Sequence, residues 1–277
     1  MPEGDTIFRT AATLRRALLG RAVTRFETTV PAVAAMDRRA PVAGRTVSAV
    51  EPRGKHLLIT FSAPEGGAPL CLHTHMRMTG SWHIYRPGEA WQRPARYAVV
   101  VIHTDAFVAP CFSAPVVELL PEARAEERVA DLGPDVLAEG FDAQDAARRL
   151  RGRPELPIGV ALLDQRLLCG IGNVYKSEVL FVERTSPFRL VRELPDELLL
   201  RLVQTARRLM LPGRTQTARR TAGGFGAANN LYVYGRSGEP CRVCGAAVRM
   251  RRQGEAARST YYCASCQGVE GAGRAGD

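Results

Sequence analysis

Leu162-Leu163-Asp164-Gln165-Arg166-Leu167-Leu168-Cys169-Gly170-Ile171-Gly172-Asn173-Val174-Tyr175-Lys176 is the stretch whose reading decides the fold. The pattern predicts an apolar helix over 157–168 that runs into Gly-Ile-Gly, a tight turn. Asn173 is expected to cap a second helix over 173–183. Backbone N–H groups at that second start, with Lys176 nearby, suit a phosphate. An ordinary helical hairpin packed in a core would read the same way. Further helices are expected at 142–151 and 195–211, so that 137–230 forms a helical domain. The Gly/Thr/Arg-rich run 212–229 within it reads as a mobile loop.

Towards the N-terminus the period changes. Ile7, Ala11, Leu14 and Leu18 mark one amphipathic helix over 4–19. Short apolar runs split by Gly and Pro follow at 21–30, 45–51, 55–62, 69–76, 80–85, 96–103 and 106–120. They are rich in Val, Ile, Thr, Phe and Tyr and predict a β-sandwich occupying residues 1–120. The charged stretch 121–136, with Pro121, Gly133 and Pro134, reads as an interdomain hinge. No internal repeat is evident.

Towards the C-terminus, Cys241-x-x-Cys244 and Cys263-x-x-Cys266 stand 18 residues apart. Two such turns complete a tetrahedron of thiolates, so one structural zinc ion is expected in a β-hairpin finger over 231–267. A redox dithiol or a pair of disulfides is the alternative. The tail 268–277 is Gly-rich and expected to be disordered. Cys71, Cys111 and Cys169 stand alone in apolar surroundings and read as reduced core residues. The fold class is thus α+β multidomain: a sandwich with a leading helix, a helical domain and a four-cysteine zinc-finger β-hairpin.

The chain has 277 residues, 38 basic against 28 acidic, for a net charge of +10. Such an excess favours a polyanionic partner, most often nucleic acid. Between 236 and 258 six arginines face two glutamates, which suits a finger that tracks phosphates. No apolar run is long enough to span a membrane. The polar start Met1-Pro2-Glu3-Gly4-Asp5 is not a secretory signal, so a reducing cytoplasmic setting is expected. Only Lys55 and Lys176 among the basic residues are lysines. In so arginine-biased a chain, a lysine suggests a need for a compact ammonium that exchanges its proton. For Lys55 the plainer reading is a phosphate contact or a strand-edge charge.

Removal of the initiator methionine would leave Pro2 as a free secondary amine. Such an amine attacks an aldehyde-level carbon and forms an iminium. At a helix start the macrodipole disfavours a positive charge on it, and Glu3 is adjacent as an acid or base. Many proteins begin Met-Pro for no catalytic reason, so this signal gains weight only with others.

Those others are Arg53-Gly54-Lys55-His56-Leu57-Leu58, His75-Met76-Arg77-Met78-Thr79-Gly80, Tyr234-Gly235-Arg236 and the finger ending Arg258-Ser259-Thr260-Tyr261-Tyr262-Cys263. With Met-Pro-Glu and the helical turn, they resemble the formamidopyrimidine-DNA glycosylase/endonuclease VIII family, in its order, across residues 1 to 267. The resemblance implies a bifunctional DNA glycosylase/AP lyase of base-excision repair. Pro2 would attack C1′ and Glu3 would donate the proton. Lys55 would serve β-elimination and Arg258 δ-elimination. Asn173 would grip phosphate, and Met78, flanked by Arg77, would fill the gap left by the flipped nucleotide. Relatives acting on purine lesions carry an Arg and a Phe on a later loop. The corresponding region, Ala109-Pro110-Cys111-Phe112-Ser113-Ala114, has no arginine, which favours the endonuclease VIII-like branch and oxidised pyrimidines. Arg77 and Thr79 replace the Gln and Tyr of some endonuclease VIII proteins, and Asp5-Thr6 replaces the Pro-Glu of many relatives. A purine-lesion glycosylase and a non-catalytic zinc-finger/helix–turn–helix binder stay open as alternatives. An RNA-binding zinc protein fits worse, because the chain lacks an aromatic stacking platform. The expected partner is damaged DNA, duplex or single-stranded, met by a monomer at the bacterial nucleoid with no membrane and no nucleotide cofactor.

Overall fold

The structure is a computed structural model that describes residues 2–63, 67–223 and 230–269. The chain divides into two compact units, Met1–Asp131 and Leu132–Asp277. The division falls inside the expected hinge. The first half of that stretch is a helix, Glu122–Val129, whose Ala125 and Val129 are buried, so the charged run is an amphipathic face of the first unit.

In the first unit, α1 (Gly4–Leu18) precedes β1 (Arg25–Thr28), α2 (Pro31–Arg39), β2 (Val47–Arg53), β3 (His56–Phe61) and β4 (Leu70–His75). Then come β5 (Ser81–Trp82), β6 (Ala98–His103), β7 (Val108–Phe112), β8 (Val116–Pro121) and α3 (Glu122–Val129). Two four-stranded antiparallel sheets result, in the orders β1-β6-β7-β5 and β2-β3-β4-β8. One core joins them: Ile7, Leu14 and Leu18 of α1 bury with Leu57, Ile59 and Phe61 of β3 and Val100 and Ile102 of β6. The helix α2 has no counterpart in the sequence pattern; Val33 alone of its residues is buried, too little for a periodic signal. The run 106–120 is two strands parted by Ser113-Ala114-Pro115. Cys71 and Cys111 are buried thiols, and burial pushes Cys71 up to about 12.

The second unit holds α4 (Ala143–Arg151), α5 (Ile158–Ala161), α6 (Asn173–Val182), α7 (Asp196–Met210), β9 (Arg249–Gln253) and β10 (Arg258–Tyr262). Asp142 caps α4 through its side chain, accepting from the backbone N–H of Gln144 and Asp145. The expected helix 157–168 is only α5. Beyond Ala161 the bonds shorten to the third residue back, with Leu163 donating to Val160 and Asp164 to Ala161. The Asp164 carboxylate then takes the Arg166 N–H in a local turn, which competes with helix continuation. Two turns therefore separate α5 from α6. After α7 the run read as a loop begins with a 3-10 turn, Leu211–Arg214. Its residues 224–229 lie outside the described residues, as does the tail beyond Val269. The turn before α6 packs against Gly133, where a Cβ would stand 2.6 Å from the Leu167 carbonyl. Gly133→Ala is expected to cost about 2 kcal/mol or more, read as a lower thermal midpoint for the full chain.

The candidate DNA site and the zinc finger

The start of α1 places Glu3 at the N-cap, with its backbone oxygen accepting from Thr6 and Ile7 at 2.9 and 3.1 Å. Glu3 is fully buried, an uncommon place for a carboxylate, and Asp5 is buried beside it. Pro2 precedes them and is half-buried. The Met1 cleavage expected for this terminus lies outside the described residues.

Lys55 sits in a two-residue hairpin between β2 and β3, where Arg53 pairs with His56. Gly54 has φ +57°, as the first turn position demands of a residue without Cβ. The turn holds Lys55 beyond the strand end, half-buried. Its cation contributes to depressing two neighbours, His56 to about 3 and His75 to about 4, for which burial is the largest cause.

After β4 the chain makes a tight loop closed by the Gly80 N–H on the Met76 carbonyl at 2.8 Å. A Cβ on Gly80 would meet Met76 backbone at 2.7 Å. The loop lifts Met78 out, 62% exposed, whereas Met76 is buried in the core. Arg77 beside it is exposed and left-handed at φ +43°, strain that a bulky side chain rarely carries. Thr79 donates to the Ser113 carbonyl at 2.9 Å, tying this loop to the β7–β8 connection. That connection, Ser113-Ala114-Pro115, is three residues long and carries no arginine.

In the second unit, Asn173 is the first residue of α6 and is 6% exposed. It is not the cap: Gly172 occupies that position.

Lys176 corrects the sequence reading. It is fully buried, and its ammonium donates to Thr260 Oγ1 at 2.7 Å and the Ser259 carbonyl at 3.0 Å. A phosphate cannot reach it; the lysine ties α6 to the finger strand β10. Neighbours on the same helix do likewise. Ser177 Oγ accepts the Tyr261 N–H. The buried Glu178 carboxylate accepts the N–H groups of Tyr232, Val233 and Tyr234 at 2.8–2.9 Å, together with the Thr221 hydroxyl. Gln253 donates to the Pro187 carbonyl and Gln267 to the Thr185 carbonyl, each at 2.8 Å. Sequence reasoning does not find these partners, because each is a long-range pairing with no local spacing.

The four cysteines Cys241, Cys244, Cys263 and Cys266 converge, with ligand atoms all within 4.8 Å. Their sulfurs pair at 3.8 and 3.5 Å. Tetrahedral zinc with bonds of about 2.3 Å sets sulfurs about 3.8 Å apart, so the donor set fits the ion. A backbone N–H bond from Ala246 chiefly lowers Cys244 to about 7, while burial pushes Cys263 and Cys266 up. The finger thus holds one structural zinc in a closed shell, and Phe181 of α6 packs into the cluster around it with Val233 and Val248. Arg258 opens β10 at the hairpin tip opposite Gln253 and is exposed.

Residues 1–114 match the model for the formamidopyrimidine-DNA glycosylase N-terminal domain. Residues 132–220 match that for the formamidopyrimidine-DNA glycosylase H2TH domain, and 238–269 that for the zinc finger found in FPG and IleRS. The probable endonuclease 8 2 of Streptomyces coelicolor is 43% identical over 270 residues, covering 96% of this chain and 94% of that protein. The DNA-(apurinic or apyrimidinic site) lyase Nei2 of Mycolicibacterium smegmatis is 39% identical over 267 residues, covering 96% and 99%. The crystal structure of Lactococcus lactis Fpg bound to DNA containing N7-benzyl-Fapy-dG superposes with a TM-score of 0.78. It covers 96% of this chain and 99% of that one at 22% identity, a likeness of fold.

Removing zinc with a chelator should unfold the hairpin and weaken DNA binding; circular dichroism and a gel-shift titration read this. Glu178→Gln turns one of the accepting oxygens into a donor facing N–H groups. A loss of about 2–3 kcal/mol is expected, seen as an earlier denaturant midpoint.

Proposed function

The chain belongs to the formamidopyrimidine-DNA glycosylase/endonuclease VIII family and is a DNA glycosylase/AP lyase of base-excision repair, and on that footing we propose that it removes oxidised pyrimidines through a Pro2 Schiff base. The observation that carries the mechanism is the terminus itself: Pro2, an amine once Met1 is removed, next to a fully buried carboxylate, Glu3, at a helix start. An acid shielded from bulk water there can pass its proton to a group enclosed with it.

In this reading the freed Pro2 nitrogen attacks C1′ of an extruded nucleotide. The C1′–N bond to the base breaks, and the base leaves with a proton. Glu3 protonates the sugar ring oxygen, the ring opens, and the nitrogen lone pair forms the iminium. The iminium then acts as the electron sink. The neutral Lys55 amine takes the C2′ proton, and the 3′ phosphate leaves in β-elimination. Arg258 assists δ-elimination, which expels the 5′ phosphate. Extrusion costs a few kcal/mol, and Met78, raised on its strained loop beside Arg77, suits the space left in the stack. The start of α6 at Asn173 suits a backbone phosphate. The short, arginine-free β7–β8 connection supports pyrimidine rather than purine lesions. The protein works as a monomer on DNA in the bacterial nucleoid.

Borohydride should trap a covalent adduct with duplex DNA carrying one oxidised pyrimidine. Pro2→Gly should reduce the adduct by about a hundredfold. A panel of single-lesion oligonucleotides should rank oxidised pyrimidines above oxidised purines. Full trapping by the glycine variant, or the reverse ranking, would refute the corresponding part.

A further inference from the structure

Three of the five histidines gather on one face of one sheet. Strands β3, β4 and β8 pair so that Leu58, His73 and Glu118 lie in register. Period-two alternation then puts His56, His73, His75 and Glu118 on the face away from the Leu57–Ile59–Phe61 core. There α3 supplies Arg128. A continuous chain of bonds results. Arg128 donates to Glu118 Oε1 at 2.9 Å, Glu118 Oε2 meets His73 Nδ1 at 2.9 Å, and His73 Nε2 meets His56 Nδ1 at 2.8 Å. The His75 ring stands edge-on to His56, with centroids 4.7 Å apart.

The carboxylate end orders this chain when His73 is neutral: Glu118, held by Arg128, accepts from His73 Nδ1, His73 Nε2 accepts in turn, and His56 carries its proton on Nδ1. That leaves His56 Nε2 as an acceptor on the residue next to Lys55. One buried and two half-buried imidazoles, on the face away from the hydrophobic core, are a costly way to fill space.

We propose that His56, its tautomer set by His73 and Glu118, is a positioning residue that accepts a hydrogen bond from Lys55 Nζ and aims it for β-elimination. The inference rests on the role given to Lys55 above. A carboxylate in the same place would hold the ammonium as an ion pair and oppose loss of its proton. A neutral imidazole orients the amine without that penalty. Neutrality is secured by the surroundings: burial first, then the neighbouring His75, His73 and Lys55, hold His56 at about 3. Burial, then Lys55, Arg77 and His73, hold His75 at about 4. On β2, Arg53 pairs with His56 across the hairpin and adds a further positive charge to that edge, partly met by Glu51 at 3.7 Å.

The test separates adduct formation from strand cleavage on full-length protein, using DNA with a preformed abasic site. His56→Phe should slow single-turnover β-elimination about tenfold while borohydride trapping stays unchanged. His56→Gln, which keeps an acceptor oxygen, should recover most of that loss. Neither His56 nor His75 should titrate in wild-type elimination between about pH 5 and 8, because both are held neutral there. Unchanged elimination in a folded His56→Phe protein, equal loss in His56→Gln, or a parallel fall in trapping would overturn the proposal. Lys55→Ala is the control: if it does not slow elimination, the role of Lys55 fails and His56 loses its object with it. If Lys55→Ala is slow and His56→Phe is not, only the positioning by His56 fails.

Discussion

One turn of α6 fastens the finger to the helical part of the second unit. Lys176, Ser177 and Glu178 are consecutive and all buried, and each bonds to chain more than forty residues away. Residues two apart on a helix point about 200° away from each other. Lys176 and Glu178 use that divergence. The lysine fastens the finger strand, and the carboxylate gathers three successive N–H groups of the segment leading into the finger. Burying either charge without its partners would cost several kcal/mol. The finger is therefore fastened to the helix by these buried bonds, and the cysteine cluster packs against Phe181 of the same helix.

This arrangement explains why a lysine survives in a chain of arginines. Lys176 must place a donor between a hydroxyl and a carbonyl inside the packed junction of α6 and β10. A guanidinium has five donors in a planar fork and cannot leave three of them unpaired there. In the sequence, the scarcity of lysine reads as a sign of proton chemistry. For Lys176 the reason is instead steric and electrostatic. For Lys55, held in a turn beside a histidine chain, the chemical reason stands as a proposal.

The legible parts of the molecule are those written in local spacing. The Cys-x-x-Cys pairs, the amphipathic helix α1 and the Gly-rich turn before Asn173 each announce themselves within a short stretch of chain. The sandwich is legible as a succession of strands, but its register is not, and register is what assembles His56, His73 and Glu118 from three separate runs. The departures have local causes too. A side-chain turn at Asp164 ends α5 early although its apolar pattern continues. Asn173 reads as a cap, yet Gly172 adopts the extended cap geometry, leaving the asparagine inside the helix. The charged stretch after Pro121 reads as a hinge because α3 shows only Ala125 and Val129 to the core.

The same contrast separates the two ends of the proposed chemistry. Glu3 needs nothing distant to be found: it follows a proline at the start of the chain and is buried because α1 packs its first turn inward with Gly4, Asp5 and Ile7. Lys55 depends on Gly54 for its turn and on two neighbouring strands for its surroundings. An acid placed by a single helix turn tolerates drift elsewhere in the fold. A lysine that neighbours histidines of β3 and β4 does not. On the proposed positioning of Lys55 by His56, substitutions on α3 would act on the lysine through Arg128 and Glu118, whereas the placement of Glu3 at its helix start does not pass through them.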